Sequence, residues 1–128
     1  MELEVGLKGK ATSTVERVDT AQEVGSGSLL VYATPCMVAL MEGAACEAIA
    51  DAFDEGKTSV GIELNISHVS ATPVGLEVYA EAELTAVDKN ILSFKVSAYD
   101  ESGLIGEGTH KRALVTTQKF LEKAYEKL

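Results

Sequence analysis

Thr34-Pro35-Cys36-Met37-Val38-Ala39-Leu40-Met41-Glu42-Gly43-Ala44-Ala45-Cys46 is the stretch on which the fold turns. Threonine followed by proline is a helix start signal, an N-cap residue and then the residue best suited to the first helical position. The predicted helix runs on to about Ala52, with Gly56 beyond it as a plausible stop. Between Ala33 and Cys46 the only charged residue is Glu42. A helix that is apolar nearly all round has to be buried on several sides. Burying an unpaired carboxylate costs on the order of several kcal/mol. Glu42 is therefore protonated, paired or at a cavity, unless it lies on an exposed strip shared with Glu47.

Outward from this helix the chain reads as strands. Residues 3–18 suggest a strand with apolar positions at Leu3, Val5 and Leu7, and 19–31 form an irregular stretch around Gly25-Ser26-Gly27-Ser28. After the helix, Ile62, Leu64, Ile66 and His68 share one face of a strand. Past Pro73 and Gly75, the residues Leu76, Val78, Ala80, Ala82 and Leu84 alternate with polar ones. Asp88-Lys89-Asn90 turns the chain into Leu92, Phe94, Val96 and Ala98, and Asp100-Glu101-Ser102-Gly103 turns it into a last strand over 104–117. Residues 118–128 suggest a short amphipathic helix. One buried helix with about five antiparallel strands is an α+β arrangement in which a curved sheet wraps the helix, the hotdog fold. One such sheet leaves open edges and a half-covered helix, so a homodimer is expected.

The 128 residues fit a single domain over 1–128. A net charge of −9 argues against nucleic acid as a partner, since an acidic surface repels a phosphate backbone. Cys36 and Cys46 lie ten residues apart on the predicted helix, about 15 Å at ~1.5 Å per residue, too far for a disulfide. They read as small packing residues suited to a reducing, cytoplasmic setting. No apolar run is long enough to span a bilayer, and Met1-Glu2-Leu3-Glu4 lacks the basic start of a signal peptide. No membrane association is expected. Two histidines and two cysteines at these spacings suggest no metal site, and no cofactor is expected.

Three pieces stand in a recognisable order: Val31-Tyr32-Ala33-Thr34 with Met41-Glu42, Gly61 with His68, and Gly106-Glu107-Gly108-Thr109-His110-Lys111-Arg112. With these, the chain from about residue 3 to 120 resembles the fluoroacetyl-CoA thioesterase group of hotdog enzymes. The resemblance implies hydrolysis of a small acyl-CoA to free acid and CoA. It implies Thr34, Glu42 and His68 as the catalytic set, with Gly61 and Arg112 as substrate contacts. In that group, specificity for fluoroacetyl looks tied to an aromatic lid before the helix. Here 19–31 contains no Phe, Tyr or Trp, and Ser28 and Leu29 occupy that stretch.

Each of these residues also has a plainer reading. Thr34 can be a helix cap worth roughly 1 kcal/mol, or it can place a hydroxyl at a helix N-terminus, where backbone N–H groups from Cys36 onward would steady a thioester oxyanion. His68 can be a hydrogen-bonded core histidine, or a general base oriented by Glu42. Arg112, which shares a strand face with His110, can be a surface arginine, or can hold a phosphate or the pantetheine arm. A non-catalytic acyl-CoA-binding module of the same fold is the second reading of function, and a hotdog dehydratase a weaker third. Thr34 and Glu42 are eight residues apart on one helix, about 12 Å along its axis, whereas a hydrogen bond needs roughly 3 Å. A site that uses both is therefore expected to draw them from two subunits, with the source of His68 open.

Overall fold

The structure is a computed structural model and describes residues 2–128. Its strands are β1 (Lys8–Thr14), β2 (Lys57–His68), β3 (Glu77–Asp88), β4 (Ile91–Asp100) and β5 (Gly103–Thr116). Its α-helices are α1 (Ala21–Val24), α2 (Thr34–Ala48) and α3 (Thr117–Tyr125). The strands form one antiparallel sheet in the order β1-β3-β4-β5-β2. β3, β4 and β5 follow one another through short turns. β2, although second in the chain, joins the sheet only through β5. The sheet curls around α2, giving the expected α+β hotdog arrangement.

The core lies between α2 and the inner face of β3 and β4. Met37, Met41, Ala44, Ala45 and Ala48 of the helix meet Val78, Ala80, Leu84, Leu92, Phe94 and Val96. Strict alternation along β3 and β4 puts the small and branched residues inward and Glu77, Glu81, Glu83 and Lys95 outward. β1 crosses the helix so closely that a Cβ on Gly9 would run into the backbone of Ala44 and Ala48. Glycine there is a condition of the packing.

Three expectations change. First, α2 is not buried all round. Its sheet side is sealed, but Pro35, Ala39, Gly43 and Cys46 form an exposed strip on the opposite side. Second, α2 starts one residue earlier and stops sooner. Ala33 is the N-cap, Thr34 and Pro35 occupy the first turn, and the α-helix ends at Ala48, with Ile49 bonding back to the Cys46 carbonyl. The Thr34 side chain makes no capping bond, which frees its hydroxyl. Third, the first strand is short. Gly6 at φ 102 turns the chain before β1, and a tight turn over Arg17–Asp19, closed by reciprocal bonds between Glu16 and Asp19, ends its run. Residues 19–31 also hold more structure than their composition suggests. Thr20 caps α1 and Gly25 at φ 80 ends it. Bonds from Ala21 N to Val31 O and from Gln22 N to Leu29 O then fold the stretch back on itself.

β2 is the edge strand that carries Gly61 and His68 of the expected site. Its register on β5 shifts between Gly61 and Glu63, leaving Ile62 as a bulge residue that is 51% exposed. Leu64, Ile66 and His68 keep the expected inward parity but are only half-buried, because little of the helix covers them. No described helix is long and apolar enough to cross a membrane. Among the described residues no group of three His, Cys, Asp or Glu side chains is placed to hold a metal ion.

Candidate active site

Thr34 opens α2 and His68 closes β2, and the two meet. Thr34 Oγ1 lies 2.7 Å from His68 Nδ1. An uncharged Nδ1 accepts the hydroxyl proton, which is the arrangement of a base holding a nucleophile or a water-binding hydroxyl. His68 Nε2 is buried and has no hydrogen-bond partner in the chain. Burial lowers the His68 pKa from its ordinary value, an effect partly offset by the nearby Ser70 backbone. The pair faces an open cleft of about 310 Å³ bounded by Ala21, Ser26, Tyr32, Thr34, His68 and Ser70. The Cys36 N–H, expected as an oxyanion donor, already bonds the Ala33 carbonyl at 3.0 Å.

Two turns along α2, Glu42 belongs to a different cluster. Its Oε2 accepts from Arg112 Nη1 at 3.1 Å. Arg112 is only 6% exposed, and its other bonds are internal: Nε donates to Ser59 Oγ at 2.8 Å and Nη2 to the Ser59 carbonyl at 3.2 Å. Nη1 also lies 3.2 Å from His110 Nε2. The His110 Nδ1 sits 2.8 Å from the Glu63 carbonyl oxygen. Glu42 keeps 38% of its side chain exposed, so it is paired and at a surface cleft rather than enclosed. Gly61 forms the floor beneath it, since a Cβ there would collide with Glu42 Oε2. The shallow cleft around Glu42 is lined by Val38, Gly61, Ile62, Leu64 and His110.

The expected site residues thus fall into two separate clusters of one chain. Thr34 and His68 form one; Glu42, Gly61 and Arg112 form the other. The family model for fluoroacetyl-CoA-specific thioesterases matches residues 15–118. The chain belongs to that family. A relative, the fluoroacetyl-CoA thioesterase of Streptantibioticus cattleyicolor, is 43% identical over 97 residues, which are 76% of this chain and 70% of the relative. A solved structure of the fluoroacetyl-CoA thioesterase FlK matches with a TM-score of 0.93 at 34% identity, covering 100% of this chain and 99% of that one. A threonine-to-serine mutant of FlK, solved in complex with acetyl-CoA, matches with a TM-score of 0.92 at 35% identity, covering 98% of each chain.

Within this family frame, sequence reasoning assigned no role to Ser59 or His110, yet both hold Arg112 in place. The signal for His110 was present, since it shares a strand face with Arg112. Ser59 was hidden by the bulge, which breaks the parity count along β2.

Proposed function

We propose that this chain hydrolyses small acyl-CoA thioesters to free acid and CoA, in active sites shared between two copies of the chain. The observation that carries this reading is the 2.7 Å contact between Thr34 Oγ1 and His68 Nδ1 beside an open cleft. With the thioester carbonyl at the mouth of α2, His68 takes the proton as Thr34 Oγ1, or a water bound to it, attacks. The tetrahedral intermediate then expels CoA as its thiolate, which takes the proton from His68; where Thr34 is the attacker, a water deprotonated by His68 hydrolyses the acyl-threonine to free acid and restores the hydroxyl. The positive end of α2 favours the developing oxyanion.

His68 Nε2 is closed off from the surface of its own chain beside the Ser70 backbone, so a second subunit meets the pair from the exposed Thr34 side. The same chain's Glu42 is tied to Arg112 on the other half-site. In a homodimer built on the open β2 edge and the exposed strip of α2, the partner's carboxylate faces the Thr34–His68 pair. Each active site then takes Thr34 and His68 from one subunit and Glu42, with its Gly61 floor, from the other. Arg112 steadies that carboxylate from beneath. The names of the relatives put fluoroacetyl-CoA among the substrates to test. The lid segment here carries exposed Leu29 and Leu30 and no aromatic ring, which supports a broader short-acyl preference.

The test is release of CoA thiol from a panel of short acyl-CoAs, with Thr34→Ala and His68→Ala compared in parallel. Both variants should be nearly inactive while folded. Wild-type turnover in either one overturns the assignment, and turnover absent from the whole panel with tight acyl-CoA binding favours a non-catalytic module.

A further inference from the structure

We propose that His110 is a positioning residue that acts as a neutral hydrogen-bond acceptor and aims Arg112 at Glu42, an inference that rests on reading Glu42 as part of the reaction. His110 is 1% exposed, and each ring nitrogen has one neighbour within hydrogen-bonding distance. The Glu63 carbonyl at 2.8 Å from Nδ1 can only accept, so Nδ1 carries the proton. Arg112 Nη1 at 3.2 Å from Nε2 can only donate, so Nε2 offers its lone pair. One tautomer of the neutral ring satisfies both contacts, and an imidazolium would set two N–H groups against each other beside a guanidinium. Burial lowers the His110 pKa, partly offset by the bond to the Glu63 carbonyl, reinforced by the Arg112 charge and opposed by the Glu42 carboxylate, and the net shift favours that neutral form.

The consequence falls on Glu42. Nη1 carries two hydrogens. One goes to His110 Nε2 and the other to Glu42 Oε2 at 3.1 Å, while Ser59 takes Nε and Nη2. The ring thereby fixes the rotation of the guanidinium end and, through it, the place of the carboxylate over Gly61. His110 Nε2 lies 3.8 Å from Glu42 Oε2, beyond hydrogen-bonding distance, so the ring acts through the arginine. Phe94, with its ring centroid 5.9 Å from that of His110, holds the imidazole plane from the core side.

Three substitutions separate this role from packing. In His110→Gln the side-chain carbonyl reaches the place of Nε2 and keeps the acceptor for Arg112. His110→Asn keeps only the donor to Glu63, and His110→Phe keeps the volume and neither bond. With acetyl-CoA, the glutamine variant should stay within about threefold of wild-type kcat. The asparagine and phenylalanine variants should fall about tenfold or more in kcat, with KM little changed. A packing role predicts the opposite order, with phenylalanine best and losses that follow thermal stability. If the phenylalanine variant does not fold, the comparison of glutamine with asparagine decides. Equal loss in all three, or wild-type kcat in the asparagine or phenylalanine variant, overturns the inference. Glu42→Gln is measured alongside. If it is inactive while the histidine variants match wild type, only the role of His110 falls. If it turns over at the wild-type rate, the reading of Glu42 falls, and His110 has nothing to act through.

Discussion

Gly61→Ala isolates the proposed role of Glu42 from the stability of the fold. The added methyl collides with Glu42 Oε2 and lies 3.3 Å from His110 Cε1. The atom that must give is the end of a flexible carboxylate that is 38% exposed, so the chain accommodates the methyl by swinging Glu42 outward. Gly61 has no left-handed backbone angle, so alanine brings no backbone strain. Stability should stay within about 1 kcal/mol of wild type. Activity should not. Moving the carboxylate breaks its 3.1 Å bond to Arg112 and displaces it from the substrate side. A hydrogen bond to a charged group is worth about 1.5–3 kcal/mol. Solvent screening of a partly exposed carboxylate selects the low end, and ~1.4 kcal/mol is about tenfold in kcat/KM. Steady-state thiol release with acetyl-CoA, together with a thermal melt, measures both quantities. Gly9→Ala is the contrasting control. Its methyl meets the backbone of Ala44 and Ala48, which cannot move aside, so it should lower the melting temperature sharply. A folded Gly61→Ala enzyme with wild-type kcat/KM would refute the reasoning, because it would show that Glu42 can leave its place without consequence.

Other outcomes follow from the same geometry. As a histidine base takes up a proton, kcat/KM should fall on the acid side of its pH profile, and His68→Ala should remove most of the activity together with that acid limb. His68 and His110 are both lowered, so below about pH 6.5 the unfolded chain binds protons that the folded chain refuses. The stability they contribute is complete above the unfolded value and is lost as pH falls through the folded values; melts between pH 7 and 5 test this. Co-refolded dimers of Thr34→Ala with Glu42→Ala should regain activity that neither parent has, since one of their two sites is intact; mixed dimers as inactive as the parents would rule out a shared site. Fluoroacetyl-CoA should be preferred over acetyl-CoA by no more than the roughly 10–200-fold that a methylene-sized difference allows, and discrimination near a thousandfold would show that another residue gates the pocket.

Much of this was legible in the residues. The Thr34-Pro35 pair marked the start of α2 to within one residue, and the alternation of Val78 to Leu84 and Leu92 to Ala98 set the inner faces of β3 and β4. The placement of the catalytic candidates was harder, because their partners are remote in sequence. Glu42 meets a guanidinium seventy residues later, and Thr34 a histidine thirty-four residues later. Periodicity along one element carries no information about such pairings. It also misjudged α2, since an apolar helix surface reads the same whether sheet or a second molecule covers it. The exposed strip of Pro35, Ala39, Gly43 and Cys46 shows that this chain covers only one side. The bulge at Ile62 is invisible in composition, yet it sets which β2 residues lie beneath Glu42.

The strand order has a consequence for synthesis. β2 carries Gly61 and His68, but its sole neighbour in the sheet is β5, the last strand to be made. At roughly 5–20 residues per second, the interval between completing β2 and completing β5 is on the order of 2–10 s on the ribosome. Through that interval both edges of β2 are open while β3 and β4 can already pair with each other. A nascent chain therefore passes through a stage at which the strand carrying Gly61 and His68 is its least protected one, open to pairing with a neighbouring chain or to a holding chaperone. A message truncated anywhere before β5 would leave that strand stranded for good.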